Sequence, residues 1–238
     1  ITVQLNASGN AFITAAQIDN GSNDACGIAS LNVSPSSFNC TNVGANTVTL
    51  TVTDVNGNIS TCDATVTVED TIDPNAVCQN ITVQLDASGN ASITASEIDG
   101  GSTDACGIAS LSASQTAFDC SHIGANVVTL TVTDVNGNSS TCNAAVTVED
   151  TVSPAAVCQD VTIYLDASGN ASINANDVDG GSSDACGIAS LSVSQTDFEC
   201  SEVGANTVTL TVTDVNGNSS TCSATVTVED TISPTAIC

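Results

Sequence analysis

From Asn46 to Glu69 the chain reads NTVTLTVTDVNGNISTCDATVTVE, with apolar side chains alternating with threonines on both sides of Asn56-Gly57. Alternation with a period of two marks strands with one face on a core, and Asn-Gly between two such runs is a strong hairpin signal. The pattern predicts two antiparallel strands with Val48, Leu50 and Val52 on one face and threonines on the other. ITVQLDASGNASITASEID gives two further strands about Ser88-Gly89, and GIASLSASQTAFDC supplies one or two more. Only TASEID has the pattern of a single helical turn.

The same order of elements returns. ITVQLNASGNAFITAAQID at residue 1 recurs at 81 and 161, a period of 80 residues. Six or seven short strands per period, with turns every 8 to 15 residues, predict an all-β fold of tandem immunoglobulin-like antiparallel β-sandwiches arranged end to end. Pro74, Pro154 and Pro234 mark the joints, because proline cannot continue a central strand. The expected repeats are 1–72, lacking its first residues, then 73–152 and 153–232, with 233–238 opening a further one. We expect the array to extend on both sides.

Composition changes the picture in two ways. Aromatic residues are 2% of the chain, so each core must be filled by Val, Ile and Leu around one phenylalanine, Phe38, Phe118 or Phe198. Lysine and arginine are absent against 26 Asp and Glu, a net charge of −26, which argues against nucleic acid as a partner. No stretch is long and apolar enough to span a bilayer as a helix.

Strand direction places the carboxylates. The loop IDGGSTDAC and the last hairpin turn of the second repeat should both lie at its joint end, where the final strand of the first repeat stops. Glu69, Asp70, Asp73, Asp99, Asp104, Asp134, Asn136 and Asn138 are therefore expected to gather at one joint. Glu149, Asp150, Asp179, Asp184, Asp214, Asn216 and Asn218 are expected at the next. Clustered carboxylates without a cationic side chain repel, and a hard divalent cation relieves this. Calcium takes six to eight oxygen ligands in flexible geometry, so Ca²⁺ is the expected cofactor. The plainer alternatives are hairpin aspartates that cap their own turns and a solvated acidic linker.

Twelve cysteines recur at four per period, as in a disulfide framework formed in an oxidising compartment. Among the three pairings open to each repeat, topology favours Cys78–Cys106 and Cys120–Cys142. By repetition Cys40–Cys62, Cys158–Cys186 and Cys200–Cys222 follow, leaving Cys26 and Cys238 without partners within the sequence.

The motifs PNAVCQNITV, GSTDACGI, FDCSHIGAN and TVTDVNGNSSTC, in this order and repeated, resemble the hyalin-repeat-like immunoglobulin-like modules of large secreted Bacteroidota surface proteins, including gliding-type adhesins. The resemblance covers the whole chain. It implies an extracellular, cell-surface or secreted location, and a stalk or filament. The junction arrangement also resembles the calcium sites between cadherin repeats. DTI at 70–72 and 230–232 and DTV at 150–152 look like the O-glycosylation sequence of that bacterial group, which makes Thr71, Thr151 and Thr231 candidate glycan carriers beside their reading as linker threonines.

An enzyme is not expected: the single histidine, His122, has Asn42 and Glu202 at its equivalent positions, and the cysteines are assigned to bridges. The leading reading is a spacer in a surface adhesin, rigidified by interdomain calcium and intradomain disulfides, whose partners are the neighbouring repeats. Threonine-rich edge strands leave assembly into fibres open. A ligand- or carbohydrate-binding adhesive module and an acidic mineral-binding matrix protein are the alternatives. The first calls for exposed aromatics, of which Tyr164 is a lone example, and the second for carboxylates spread over strand faces.

Overall fold

The computed structural model describes residues 1–237. Each period carries six strands. In the first these are β1 (Thr2–Gln4), β2 (Asn10–Phe12), β3 (Ile28–Ser34), β4 (Ser37–Asn39), β5 (Gly44–Asp54) and β6 (Ile59–Glu69). The second has β7 (Ile81–Gln84), β8 (Asn90–Ser92), β9 (Ile108–Ala113), β10 (Ala117–Asp119), β11 (Gly124–Asp134) and β12 (Ser139–Glu149). The third has β13 (Val161–Tyr164), β14 (Asn170–Ser172), β15 (Ile188–Val193), β16 (Asp197–Glu199), β17 (Gly204–Asp214) and β18 (Ser219–Glu229). Single helical turns sit where the TASEID pattern recurs, at Ala15–Ile18, Ala95–Glu97 and Ala175–Asp177.

By packing, the chain divides into two compact units, and the division runs through the second period. One unit comprises Ile1–Ile81, Thr94–Thr116 and Val127–Ala145, and the other Thr82–Ile93, Ala117–Asn126 and Val146–Cys238. The first period forms a four-stranded sheet in the order β1-β6-β5-β3 and a two-stranded sheet β2-β4, and the third repeats this as β13-β18-β17-β15 and β14-β16. Alternating burial follows from the alternating sequence. Val48, Leu50, Val66 and Val68 are buried along β5 and β6, and Phe38 closes the space between the sheets at 3% exposure. Val208, Leu210, Val226, Val228 and Phe198 do the same in the third period.

The sequence pattern left two features open. In the first and third periods the first strand is parallel to the last, with Thr2 opposite Thr67 and Val161 opposite Val226. A strand of three or four residues carries alternation but no sign of direction, so the sequence left this open. At Asn56-Gly57 the hairpin forms, but only the glycine has positive φ, at 89°. Asp54 N–H donates to the Asn58 carbonyl (3.0 Å) and Gly57 N–H to the Asp54 carbonyl (3.2 Å), which makes a three-residue loop closed by a glycine bulge.

Candidate functional site: the joints between repeats

The joint is built first from the hairpin turn. Asp134, 1% exposed at the end of β11, accepts at Oδ1 from the N–H groups of Asn136 and Asn138, both at 2.8 Å, and at Oδ2 from Asn138 Nδ2 at 2.8 Å. Burial is the largest single influence on its carboxyl and pushes its pKa up. The Asn138 amide and the turn N–H groups together outweigh burial and hold it below the ordinary value. Asp214 repeats the arrangement with Asn218 and Asn216. Asn138 Nδ2 also donates to the Asp70 carbonyl at 3.2 Å, and Asn218 Nδ2 to the Asp150 carbonyl at 3.1 Å. One amide thus ties the turn of a repeat to the tail of the repeat before it.

The tail and the DAC loop meet here as well. Asp70, 9% exposed, accepts from the Ile72 N–H at Oδ1, while its Oδ2 is buried without a partner. Asp104 Oδ1 accepts from the N–H groups of Cys106 (2.7 Å) and Gly107 (3.2 Å). A carboxylate oxygen of each and the Cys106 sulfur lie within 4.8 Å of one another, and Asp150, Asp184 and Cys186 form the same group at the second joint. Asn136 Oδ1 and Asp150 Oδ2 are likewise buried without partners. Buried oxygens left unbonded cost stability in isolation, so they mark where a cation would be accommodated.

The other residues expected at the joints have different duties. Glu69 and Glu149 are exposed and each accepts from a glutamine, Gln4 and Gln84, at 2.7 Å. Asp99 is held by Ser102, whose hydroxyl and N–H lower its pKa, and Asp179 by Ser182 likewise. Asp73 lines a groove with Asp104 and Ala105, and its counterpart in the second joint is Ser153. Asn216 is exposed, unlike Asn136. Thr71 and Thr151 direct their hydroxyls to Gln4 and Gln84, at 3.1 and 3.0 Å, whereas the third repeat has Tyr164 at the position of these glutamines, paired with Glu229 on the ladder.

The disulfides correct the sequence reading. Cys40 is bonded to Cys106 and Cys120 to Cys186, while Cys78 is bonded to Cys142 and Cys158 to Cys222. None of the expected pairs Cys40–Cys62, Cys78–Cys106, Cys120–Cys142, Cys158–Cys186 and Cys200–Cys222 forms. Parallel pairing explains the second set: the register that places Val161 opposite Val226, carried three residues back, puts Cys158 beside Ser223 and its neighbour Cys222. Cys62, opposite Leu50 on the ladder, lies along β6 away from Cys40, which follows β4. Cys40 instead sits against the β1–β2 turn, with its sulfur 3.8 Å from the Gly9 carbonyl, and meets the DAC loop of the next repeat. Cys26, Cys62 and Cys200 are unbonded and exposed, and Cys238 lies outside the described residues.

The sequence reading also missed two glycines that the clasp requires. A Cβ on Gly9 would stand 2.7 Å from Cys40 Sγ and 3.3 Å from Ala105 Cβ. On Gly89 it would stand 2.7 Å from Cys120 Sγ and 3.1 Å from Ala185 Cβ. The recurring SGN was legible as a turn, but not the sulfur packed on it. His122, read as an incidental loop residue, helps close the turn after β10, with Nδ1 at 2.8 Å from Asp119 Oδ1 and its ring edge-on to Phe118.

No family model matches the chain. It is similar to Hyalin of Strongylocentrotus purpuratus, 34% identical over 230 residues, which is 91% of this chain and 19% of that protein. The chain thus spans about a fifth of its relative's length. Among solved structures it aligns with human CDH23 EC21-23 at TM-score 0.39 and 14% identity, over 77% of this chain and 74% of that one. The titin I-band fragment I67-I69 aligns at TM-score 0.34 and 10% identity, over 78% and 75%. On its own strands and registers, the chain is nearly all β, built of tandem repeated immunoglobulin-like units, and over most of its length it is similar to one stretch of Hyalin.

Proposed function

We propose that the chain is a structural spacer in an extracellular, adhesion-type surface protein, and that its joints are locked covalently. One observation carries the reading: Cys40–Cys106 and Cys120–Cys186 each tie one repeat to the next, where a flexible linker would otherwise decide the geometry. The four disulfides among the described residues suit an oxidising compartment, and among those residues no helix is long and apolar enough to cross a membrane. The likeness to Hyalin supports a repeat-domain role of this kind.

Calcium fits this reading as a second lock. Asp70, Asp104 and Asn136 at one joint, and Asp150 with Asp184 at the other, offer oxygen ligands that suit a hard cation. These are fewer than its six to eight positions, so backbone carbonyls and water would complete the shell. The cation would neutralise the carboxylates and join the tail of one repeat to the loop of the next. Thr231, whose position lacks the glutamine that engages Thr71 and Thr151, is the best placed of the three threonines to carry a glycan.

The test is scattering of the intact chain, oxidised and reduced, with calcium or with a chelator. The proposal expects a stiff particle that loosens on reduction and loosens further on chelation. A particle equally stiff with its disulfides reduced contradicts it.

A further inference from the structure

The four disulfides among the described residues are interlaced. Cys40–Cys106 overlaps Cys78–Cys142, which overlaps Cys120–Cys186, which in turn overlaps Cys158–Cys222. Every peptide bond from Cys40 to Cys222 therefore lies inside at least one closed covalent loop. No single cut in that stretch parts the chain while the bridges hold.

Two covalent routes run through this stretch. The first crosses each joint on a disulfide, Cys40–Cys106 or Cys120–Cys186, and uses backbone only from Cys106 to Cys120, over β9 and β10. The second crosses within the repeats on Cys78–Cys142 and Cys158–Cys222, and uses backbone only across the joint, from Cys142 to Cys158. These backbone stretches are 14 and 16 peptide steps of a period of 80 residues. A pull along the chain is borne by the shortest covalent route. The hairpin of β5 and β6 lies between Cys40 and Cys106, whose Cα atoms are fixed 5.1 Å apart, and that of β11 and β12 between Cys120 and Cys186, fixed 5.3 Å apart. The buried valines and leucines of these hairpins, Val48 and Leu50 or Val128 and Leu130, thus stand outside the stretched route.

We propose that the chain resists tension through these two redundant covalent tracks, which shield the sandwich cores and cap the extension, so that loss of either set of bridges leaves the cap nearly unchanged. The first track holds Ile1–Cys40, Cys106–Cys120 and Cys186–Cys238 in line, 39, 14 and 52 peptide steps, or 105 of the 237 in the chain. The second holds Ile1–Cys78, Cys142–Cys158 and Cys222–Cys238, 77, 16 and 16 steps, or 109. At about 3.5 Å per residue these limits are about 370 and 380 Å, against about 830 Å for a chain without bridges. The proposal gives the spacer a mechanical task, yet it rests on the disulfides alone and is testable whether or not the spacer reading holds.

The experiment stretches the full chain between handles on its two ends by atomic force spectroscopy, with Cys26→Ala, Cys62→Ala, Cys200→Ala and Cys238→Ala in place to prevent stray bridges. The oxidised chain should stop at about 370 Å and the reduced chain at about 830 Å. Adding Cys78→Ala/Cys142→Ala/Cys158→Ala/Cys222→Ala should leave the limit at about 370 Å, and adding Cys40→Ala/Cys106→Ala/Cys120→Ala/Cys186→Ala instead should move it only to about 380 Å. Either variant running out to about 830 Å would overturn the redundancy. A second measurement uses the unsubstituted oxidised chain, cut once by protease between Ile72 and Val77. The halves should travel together without reductant and separate with it; halves that separate without reductant would overturn the interlaced tracks.

Discussion

Cys40 and Cys106 are 66 residues apart in sequence and 5.1 Å apart at their Cα atoms, bonded across the boundary between two repeats. A disulfide within a repeat stabilises that repeat alone, whereas this one fixes the joint. Closing a loop of this length stabilises by about 4 kcal/mol in the chain-entropy account. The double variant Cys40→Ala/Cys106→Ala should therefore lose up to about that much unfolding free energy, measured by urea denaturation. Protease cleavage between Ile72 and Val77 should quicken in parallel.

The glycine under the clasp gives a second test. Gly89 and Gly101 both have positive φ, but a Cβ on Gly101 would meet nothing within 4 Å. Gly101→Ala should cost only the left-handed backbone strain, about 1 to 2 kcal/mol. Gly89→Ala should cost distinctly more, since its Cβ would collide with Cys120 Sγ and press on Ala185. Equal melting temperatures for the two variants would mean that the sulfur contact is slack.

How much of this was readable beforehand depended on the range of the interaction. Alternation and turn residues are local, so the strands around Asn56-Gly57 and the buried Phe38, Phe118 and Phe198 follow from neighbouring residues, whereas Asp134 was open to two readings, a calcium ligand and a cap on its own turn, and the structure shows the cap. That Asp70, Asp104 and Asn138 would meet at one end also followed, because strands that alternate in direction return their loops to the same side. What failed was pairing between elements distant in sequence. The parallel register of β13 on β18 decides Cys158–Cys222, and contact between successive repeats decides Cys120–Cys186. Neither leaves a mark in the spacing of a single repeat.

The turn aspartates set an acid limit. Asp134 and Asp214 have folded-state pKa values below the ordinary carboxyl value, so their stabilisation is fully present above about pH 4 and is lost as pH falls through the folded value. Melting temperature should be flat from neutral pH to about 5 and fall below about 4. In Asp134→Asn/Asp214→Asn the starting stability should be lower and the acid-dependent drop smaller. An unchanged drop would place the acid-sensitive groups elsewhere.

Asp70 Oδ2 separates calcium from the disulfide. With calcium absent, Asp70→Asn should be close to neutral, because it removes a buried charge whose Oδ2 has no partner and leaves an oxygen to accept from the Ile72 N–H. With calcium present, the rise in melting temperature that the metal gives wild type should shrink, since a ligand for the folded state stabilises in proportion to its occupancy. A variant that responds to calcium as wild type does would remove Asp70 from the site.

The most direct test of the covalent joint is peptide mapping of the oxidised chain without reduction, reading which cysteines share a linked peptide. The account predicts Cys40 with Cys106 and Cys120 with Cys186, alongside Cys78 with Cys142 and Cys158 with Cys222. Recovery of Cys40 with Cys62 and Cys120 with Cys142 instead would confine every bridge to its own repeat and contradict it.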